Sequence, residues 1–497
     1  MSPTKVFIPV KEGPLLVPNA PRQRQHSIGL ISIIILVALA IASLTILPGH
    51  FRIHRQASPS FYHHVRKAVK ICPNASVSHA GHIGLQGDTE DVPKRSFFWY
   101  FEAEENPADA PIILTIGGGP GTSGMMNPLQ GQSPCIATAQ GLAANPHRWT
   151  EKHNLIALDH PIGVGFSYGS HVNSSRAAAY DVYDFLQKFF VLFPHLARNK
   201  FVISGGSYGG VYVPNIATVV HEQNLFLNSG RGQPGAIPIK LDALIISNPF
   251  SSPISHFRWL LQYRCIDHQV FSSTDCARLY SDLPTCLDSI DLAFELPTVP
   301  NRVRATELCY HRMNSADTYN GTVAEDIRRR CIADPDDPSP VPCHPQFGWF
   351  QAIFSDPQVR RALGIPPHLN FTALNMDVNA EFLGAGDLIQ PHHLLYPPLL
   401  ASGIRLLHYI GKQDANCPWP GIFSFLKLLE TPFQQDFLTT PDVLWPTADV
   451  ATVRAVGPGA GNFTLILVAE AGHFTVADQP ALAKSIVENW VANRPWF

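Results

Sequence analysis

The sequence lacks two features that would identify large classes of protein: an excess of basic residues and closely spaced metal ligands. Its 36 Lys and Arg residues are offset by 39 Asp and Glu residues, which gives a net charge of −3. A protein that binds nucleic acid carries excess positive charge on the surface that meets the phosphates. The nine cysteines include no CxxC pair and the 22 histidines are dispersed, whereas structural zinc sites combine such ligands at short spacing. We therefore predict no nucleic-acid partner and no metal site.

A long apolar run occurs near the N-terminus, at residues 28–47. It follows a polar tail, residues 1–27, that carries basic residues. About 20 apolar residues suffice for a helix to cross a bilayer, so we predict a transmembrane signal-anchor that attaches the protein to a membrane. A cleaved signal peptide has a shorter apolar core of roughly 7–15 residues. Cleavage near residues 40–42, which would release a secreted protein, is the alternative.

The residues after this run carry the marks of the secretory pathway. Six of the nine cysteines fall between Cys265 and Cys343, a density that favours disulfide bonds over reduced thiols. One cysteine is left over, and the sequence does not identify it. Five sites match the N-glycosylation pattern, and they are Asn74, Asn173, Asn320, Asn370 and Asn462. We expect a glycosylated, disulfide-bonded protein in a lumenal or vacuolar compartment or outside the cell.

The stretch ISGGSYGG at residues 203–210 has the pattern of a strand that enters a helix through a tight serine turn. Gly205 and Gly209 flank Ser207 in the GxSxG spacing, in which small residues allow a sharp turn that exposes the hydroxyl. An apolar run precedes the turn, and residues 211–220 can continue it as a helix. The pattern predicts that Ser207 is a nucleophile. An ordinary glycine turn is the alternative.

The flanking sequence alternates between apolar strands and an amphipathic helix. An aromatic strand is predicted at residues 97–102, and apolar strands at 111–116 and 155–158, with a helix at 177–193. The second of these strands runs into glycines at 117–121, whose backbone N–H groups are accessible enough to contribute to an oxyanion hole. This alternation predicts a mostly parallel sheet flanked by helices, which is an α/β class of fold.

The cysteine-rich residues 252–345 interrupt the alternation, and we interpret them as an insertion, or cap, in a catalytic domain formed by residues 60–251 and 346–497. Strands resume at 404–410 and 465–468, and they are followed by Asp414 and His473. Taken singly, Asp414 could be a helix cap and His473 a loop histidine. Together with Ser207 they stand in the chain order Ser, Asp, His, which is the order of the α/β-hydrolase triad.

Five short sequence motifs occur together over about residues 60–497. They are GGGPGTS at 117–123, DHPIGVGFSY at 159–168, GGSYGG at 205–210, DANC at 414–417, and GH at 472–473 followed by DQP at 478–480. In this combination the sequence resembles the serine carboxypeptidase family, whose corresponding motifs are NGGPGCS, DQPVGVGFSY, GESYGG, DxxC and GHMVPxDQP. The resemblance implies an α/β-hydrolase fold with an insertion over the active site.

The resemblance also implies roles for individual residues. Ser207, Asp414 and His473 would form the triad, and the N–H groups of Gly119 and Tyr208 the oxyanion hole. Residues at matching substrate-binding positions are Gly117, Gly118, Gly206, Cys417 and Phe474. The implied reaction is removal of the C-terminal residue from a peptide, without a metal or an organic cofactor.

The departures from the family concentrate on one function. The family holds the substrate carboxylate with an asparagine and two glutamates, and Gly117, Gly131 and Gly206 occupy those positions here. Phe474 also replaces the methionine that usually follows the histidine. The expected function is a carboxypeptidase-like hydrolysis of peptides. An esterase or acyltransferase using the same triad, and a non-catalytic lumenal binding protein, are the alternatives.

Overall fold

In the computed structural model, a twelve-stranded sheet carries the candidate site on its edge. The structure describes residues 61–68, 71, 72, 77–314, 321–331, 341, 343–447 and 450–497. The polar tail, the apolar run at 28–47, Asn74 and Asn320 lie outside these residues, so the predicted anchor and these two glycosylation sites stay predictions. Within the described part of the chain, no helix combines the length and apolar character needed to cross a membrane.

The strands of the described residues are, in chain order, β1 (His63–Ala68), β2 (Ser78–Gly84), β3 (Lys94–Phe101), β4 (Ile112–Ile116), β5 (Cys135–Thr138), β6 (Gly141–Ala144), β7 (Asn154–Leu158), β8 (Tyr168–Gly169), β9 (Phe201–Gly206), β10 (Leu241–Ser247), β11 (Thr322–Val323), β12 (Asp326–Arg330), β13 (Arg405–Gly411), β14 (Val443–Leu444), β15 (Ala451–Val456) and β16 (Phe463–Val468).

The α-helices of the same residues are α1 (Ser175–Leu192), α2 (Gly209–Asn228), α3 (Pro253–Leu261), α4 (Ser273–Glu295), α5 (Val299–Ala305), α6 (Pro345–Ser355), α7 (Pro357–Leu363), α8 (Met376–Gly384), α9 (Tyr396–Ala401), α10 (Trp419–Leu428), α11 (Gln434–Thr439), α12 (Thr475–Asp478) and α13 (Pro480–Val491).

The sheet has the order β1-β2-β3-β7-β4-β9-β10-β13-β16-β15-β14, and β8 pairs with β3. The central run from β7 to β16 is parallel, and the outer strands are antiparallel. All residues of β4 and β7 are buried, as expected for parallel strands covered on both faces. The predicted α/β-hydrolase architecture is thereby confirmed.

Helix α1 shows why the sequence folds this way locally. The Ser174 side chain accepts a hydrogen bond from the N–H of Ala177 and so caps the first turn. Apolar side chains at helical spacing then face the sheet, and Phe185 and Phe189 pack on Phe98 of β3 with ring centroids 5.5 Å away in both pairs. The helix predicted at 177–193 is therefore a core helix.

The chain leaves the sheet between the adjacent strands β10 and β13. The described residues in the cysteine-rich part of this excursion include helices α3 to α5 and the short β11–β12 hairpin. The predicted disulfides are present: Cys72–Cys135, Cys265–Cys276, Cys286–Cys309 and Cys331–Cys343. Cys417 is the unpaired cysteine, and it is buried. Residues 61–497 form one compact unit, and its division at 252–345 stays an interpretation of the sequence.

Candidate active site

The turn between β9 and α2 holds Ser207 in a conformation that few residues adopt. Its φ is 59°, in the left-handed region where non-glycine residues are uncommon. Its N–H donates to the Ser247 carbonyl at 3.1 Å, and its own carbonyl accepts from the N–H groups of Gly210 and Phe250. The side chain is half-buried. The backbone thus fixes a strained turn that presents the hydroxyl, as predicted from the GxSxG spacing.

Asp414 and His473 are joined by a hydrogen bond, 2.7 Å between Oδ2 and Nδ1. Asp414 is fully buried and His473 is 9% exposed. The second carboxylate oxygen of Asp414 accepts from the N–H groups of Asn416 and Cys417 at 2.7 and 3.0 Å. These bonds orient the carboxylate toward the ring, and the occupied Nδ1 leaves Nε2 for proton transfer.

Asn248 is a further residue of this cluster that the sequence interpretation missed. It follows β10, and its side-chain amide donates to Asp414 Oδ2 at 2.8 Å. Its side-chain carbonyl accepts from the N–H of Gly411 at 3.0 Å. The position directly after a parallel strand is the signal that could have identified it, because such strand ends meet at one edge of the sheet.

The surroundings of His473 act on its pKa in opposite directions. Burial lowers the pKa of the ring, but the charge and hydrogen bond of Asp414 and the charge of Glu325 together raise it above the ordinary value. The protonated imidazole is therefore stabilised in place. This suits a base that must hold a proton between two steps of a reaction.

Ser207 and His473 line one cavity of about 460 Å³. Among the hydrogen bonds of the described residues, none joins the Ser207 hydroxyl to the His473 ring. Catalytic hydrogen bonds are often long in a protein without substrate and shorten when substrate binds. The structure therefore brings the three triad candidates to one end of the sheet, with the Asp–His bond formed.

The glycine loop after β4 passes directly over the serine turn. A Cβ at Gly118 would lie 2.9 Å from Ser207 Cβ and 3.2 Å from the Tyr208 nitrogen, so only glycine allows this approach. No described acceptor is hydrogen-bonded to the N–H of Gly119 or of Tyr208. The Tyr208 hydroxyl donates to Asp387 at 2.8 Å and anchors the residue. Two unpaired N–H groups beside the serine are what an oxyanion hole requires.

The predicted substrate-binding residues divide into two groups. Gly118, Gly206 and Phe474 line the cavity. Gly117 and Cys417 do not line it. Cys417 instead lies beside the triad, with its sulfur within 4.8 Å of a carboxylate oxygen of Asp414 and a ring nitrogen of His473. Burial, followed by the nearby Asp414 charge, raises the pKa of the Cys417 thiol, which keeps it neutral.

The three glycines at the positions that the resemblance assigns to carboxylate binding differ in what the structure would allow there. A Cβ at Gly117 would lie 2.1 Å from the backbone carbonyl oxygen of Thr122. Gly131 has a φ of 136°, which side chains rarely tolerate. A Cβ at Gly206 would meet the Ser247 hydroxyl at 2.6 Å, a group that can rotate away. The backbone itself therefore excludes a side chain at two of the three positions.

The charged side chains around the cavity do not favour an anion. Within the described residues, no Lys or Arg lines the cavity, whereas the carboxylate of Glu325 does. The Glu325 side chain is 25% exposed and pairs with His344 at 2.9 Å. Burial raises the pKa of Glu325, but the hydrogen bond and charge of His344 and the charge of His473 outweigh it, so the pKa is lowered and the group is ionised.

Three of the predicted glycosylation sites lie among the described residues. Asn173 and Asn370 are exposed, and Asn462 is half-buried at the start of β16. Exposure is necessary for a glycan but does not show one, so all three stay predictions.

Comparison with known proteins places these features in one family. A sequence model of the family described as serine carboxypeptidase matches residues 72–493. Carboxypeptidase Y homolog A of Pyricularia oryzae is 30% identical over 419 residues, which cover 82% of this chain and 72% of that protein. Carboxypeptidase Y homolog A of Neurospora crassa is 30% identical over 417 residues, with the same coverage.

A solved structure is similar to the fold described above. It is Kex1Δp, a prohormone-processing carboxypeptidase from Saccharomyces cerevisiae, with a TM-score of 0.66 and 21% identity. The match covers 84% of this chain and 92% of that one. At this identity the likeness extends to the fold.

Proposed function

Because the chain belongs to the serine carboxypeptidase family, we propose that it removes the C-terminal residue of a peptide through an acyl-enzyme on Ser207. The observation that supports this most is the 2.7 Å bond between Asp414 and His473, beside a cavity that Ser207 also lines. The three residues follow β9, β13 and β16 at the same sheet edge. This is the arrangement in which the triad chemistry operates.

In the proposed reaction, the Ser207 oxygen attacks the carbonyl carbon of the last peptide bond while His473 Nε2 takes the hydroxyl proton. Asp414 stabilises the resulting imidazolium. The tetrahedral oxyanion accepts hydrogen bonds from the N–H groups of Gly119 and Tyr208. His473 then protonates the leaving amine, the C–N bond breaks, and water hydrolyses the serine ester by the same proton route.

A fluorophosphonate probe tests the assignment, because it labels only an activated serine. The wild-type protein should be labelled and the Ser207→Ala variant should not. Labelling of the Ser207→Ala variant to the wild-type extent would refute Ser207 as the nucleophile.

A second candidate reaction is ester hydrolysis or acyl transfer on the same triad. The observation that favours it is that Gly117, Gly131 and Gly206, at the positions where the family holds the substrate carboxylate, supply no side chain for it. No Lys or Arg of the described residues lines the cavity to replace them. A good hydrogen bond to the carboxylate is worth about 1.4 kcal/mol, or a tenfold preference for the charged end. Without it, a neutral substrate end would bind as well as a charged one.

Matched substrates distinguish the two reactions. Peptides that differ only in a C-terminal acid, amide or methyl ester should be compared by kcat/KM from pH 4 to pH 8. A preference for the acid of less than tenfold supports the second reaction, in which neutral and charged substrate ends are both accepted. A large preference for the free acid at low pH would show an ordinary carboxypeptidase whose carboxylate site is built from other groups.

We propose that the protein is lumenal or secreted. Four disulfides in the described residues fit an oxidising compartment. We further propose that residues 28–47 anchor the protein and that its sequons carry glycans. Carbonate extraction of membranes and a mass shift on deglycosylation test this. A soluble species beginning near residue 43 would show that the segment is cleaved.

A further inference from the structure

The β11–β12 hairpin, residues 322–330, comes from the cysteine-rich excursion but lies against the loops that carry Asp414 and His473. On one side, the N–H of Ala415 donates to the Ala324 carbonyl at 2.8 Å, and the N–H of Ile327 donates to the Gln413 carbonyl at 2.9 Å. The backbone on both sides of Asp414 is therefore hydrogen-bonded to the hairpin.

The same hairpin holds the loop of the histidine. The N–H of His473 donates to the Glu325 carbonyl at 2.7 Å. At the preceding residue, a Cβ on Gly472 would lie 2.3 Å from the Glu325 carbonyl oxygen and 2.9 Å from Asp326 Cβ. The glycine of the Gly-His motif is thus required by the close approach of the hairpin.

A cluster of ion pairs fastens this contact from outside. Arg329 Nη2 lies 2.7 Å from Asp478 Oδ1, and Arg328 Nη2 lies 3.5 Å from Asp478 Oδ2. Asp326 bridges both arginines within the hairpin, at 2.8 Å to Arg328 and 3.2 Å to Arg329. The Asp478 side chain is only 7% exposed, and burial raises its pKa, an effect that the hydrogen bond from Gly472 and the charges of the two arginines offset only in part.

Asp478 connects the cluster to the catalytic loop. Its Oδ2 accepts a hydrogen bond from the N–H of Gly472 at 2.8 Å, and Gly472 directly precedes His473. The chain of contacts runs from the arginines through Asp478 to the backbone of the proposed base.

We propose that Arg328, Arg329 and Asp478 are positioning residues, which hold the His473 loop against the hairpin so that the ring meets Ser207 in productive geometry. The inference rests on the proposed triad. A displacement of about 1 Å in a reacting group can cost about a hundredfold in rate, so a loosened loop should reduce turnover while leaving the substrate cavity in place. The cysteine-rich insertion then contributes to catalysis through these contacts.

The test compares Arg329→Ala with Arg330→Ala in the full-length protein. Arg330 belongs to the same hairpin but donates to its own Thr322 at 2.9 Å, which makes it a matched control. The measurements are the rate constant of fluorophosphonate labelling, kcat and KM on one peptide ester, and the midpoint of thermal unfolding. We expect Arg329→Ala to lower kcat and the labelling rate about tenfold, with KM changed less than twofold. Arg330→Ala should leave kcat and the labelling rate unchanged.

Two further variants separate positioning from general loss of structure. Arg329→Lys should recover most of the kcat, because the positive charge is retained. Asp478→Asn keeps an acceptor for the Gly472 N–H but loses the charge, so it should match Arg329→Ala, and the double variant should lose no more than either single one. This variant also keeps the proposal testable if Arg329→Ala fails to fold.

Wild-type kcat in both Arg329→Ala and Asp478→Asn would overturn the proposal. So would an equal loss in Arg330→Ala, or a loss explained by a lowered unfolding midpoint. Failure of the triad would look different, since Ser207→Ala would then keep its labelling.

Discussion

Replacing His408 with leucine tests how acid destabilises this fold. His408 lies in the middle of β13 and is fully buried. Its ring contacts those of Tyr396 and Phe425, with centroids 5.6 and 5.9 Å away, and neither ring nitrogen has a partner among the described residues. Burial disfavours the charged ring and lowers the pKa of His408 to about 3.

The sign and size of the effect follow from this pKa. An unfolded histidine has a pKa of about 6.5. As the pH falls below that value, the unfolded chain takes up a proton that folded His408 binds only near pH 3, so the free energy of unfolding falls. The loss is about 1.4 kcal/mol per pH unit, which gives about 2.7 kcal/mol between pH 7.5 and pH 4.5 from this residue.

The assay is chemical denaturation of wild-type and His408→Leu protein at several pH values from 7.5 to 4.5. Leucine also changes the packing, but that change is independent of pH. The stability of the variant relative to wild type should therefore rise by about 2.7 kcal/mol on acidification. His195→Leu, at an exposed position, controls for loss of a histidine. A difference that stays constant over the whole range would refute the assignment of His408 as a neutral core residue.

Three other predictions concern the site. Ser207→Ala should lower kcat by roughly a million-fold, as in another serine hydrolase; measurable turnover within tenfold of wild type would contradict its role. Gly206→Glu should create a preference for peptide acids over amides, and this preference should weaken as pH rises because a carboxyl donates to a carboxylate only while protonated. Gly206→Gln is the control. Equal acid and amide rates in both variants would show that a side chain at residue 206 does not bind the substrate carboxylate. Glu325→Gln removes a charge that raises the pKa of His473, so the rise of kcat/KM with pH should move to lower pH; an unchanged profile would show that this charge does not reach the base.

The sequence was sufficient for the features that depend on local pattern. The buried strands β4 and β7, the core helix α1 and the serine turn each have a periodicity or a glycine spacing that only a few conformations satisfy. The positions of Asp414 and His473 could also be predicted, because both follow strands and parallel strands end at one edge. Their hydrogen bond connects residues 59 positions apart, and only the chain order of the triad indicated it.

Features formed by distant segments could not be predicted. Asn248 reaches Asp414 over 166 residues, and its place after a strand indicates the edge of the sheet but not that its side chain bonds to this carboxylate. The hairpin that carries Glu325 lies within a segment that the sequence indicated only as a cysteine-rich insertion, or cap. Its backbone bonds to the catalytic loops depend on where the whole excursion folds back, which no short-range pattern specifies.

The three glycines at the positions that the family resemblance assigns to carboxylate binding show how a structure changes the meaning of a sequence difference. From the sequence, the three glycines indicate that three side chains of the family are absent here. The structure makes the three positions unequal, because the Thr122 carbonyl blocks a Cβ at Gly117 and the φ of 136° at Gly131 excludes most side chains. At Gly206 the atom nearest to a Cβ is the Ser247 hydroxyl, which can rotate away, and the φ does not lie in the left-handed region. Of the three positions, residue 206 at the end of β9 is therefore the one that could accept a side chain without rebuilding a loop.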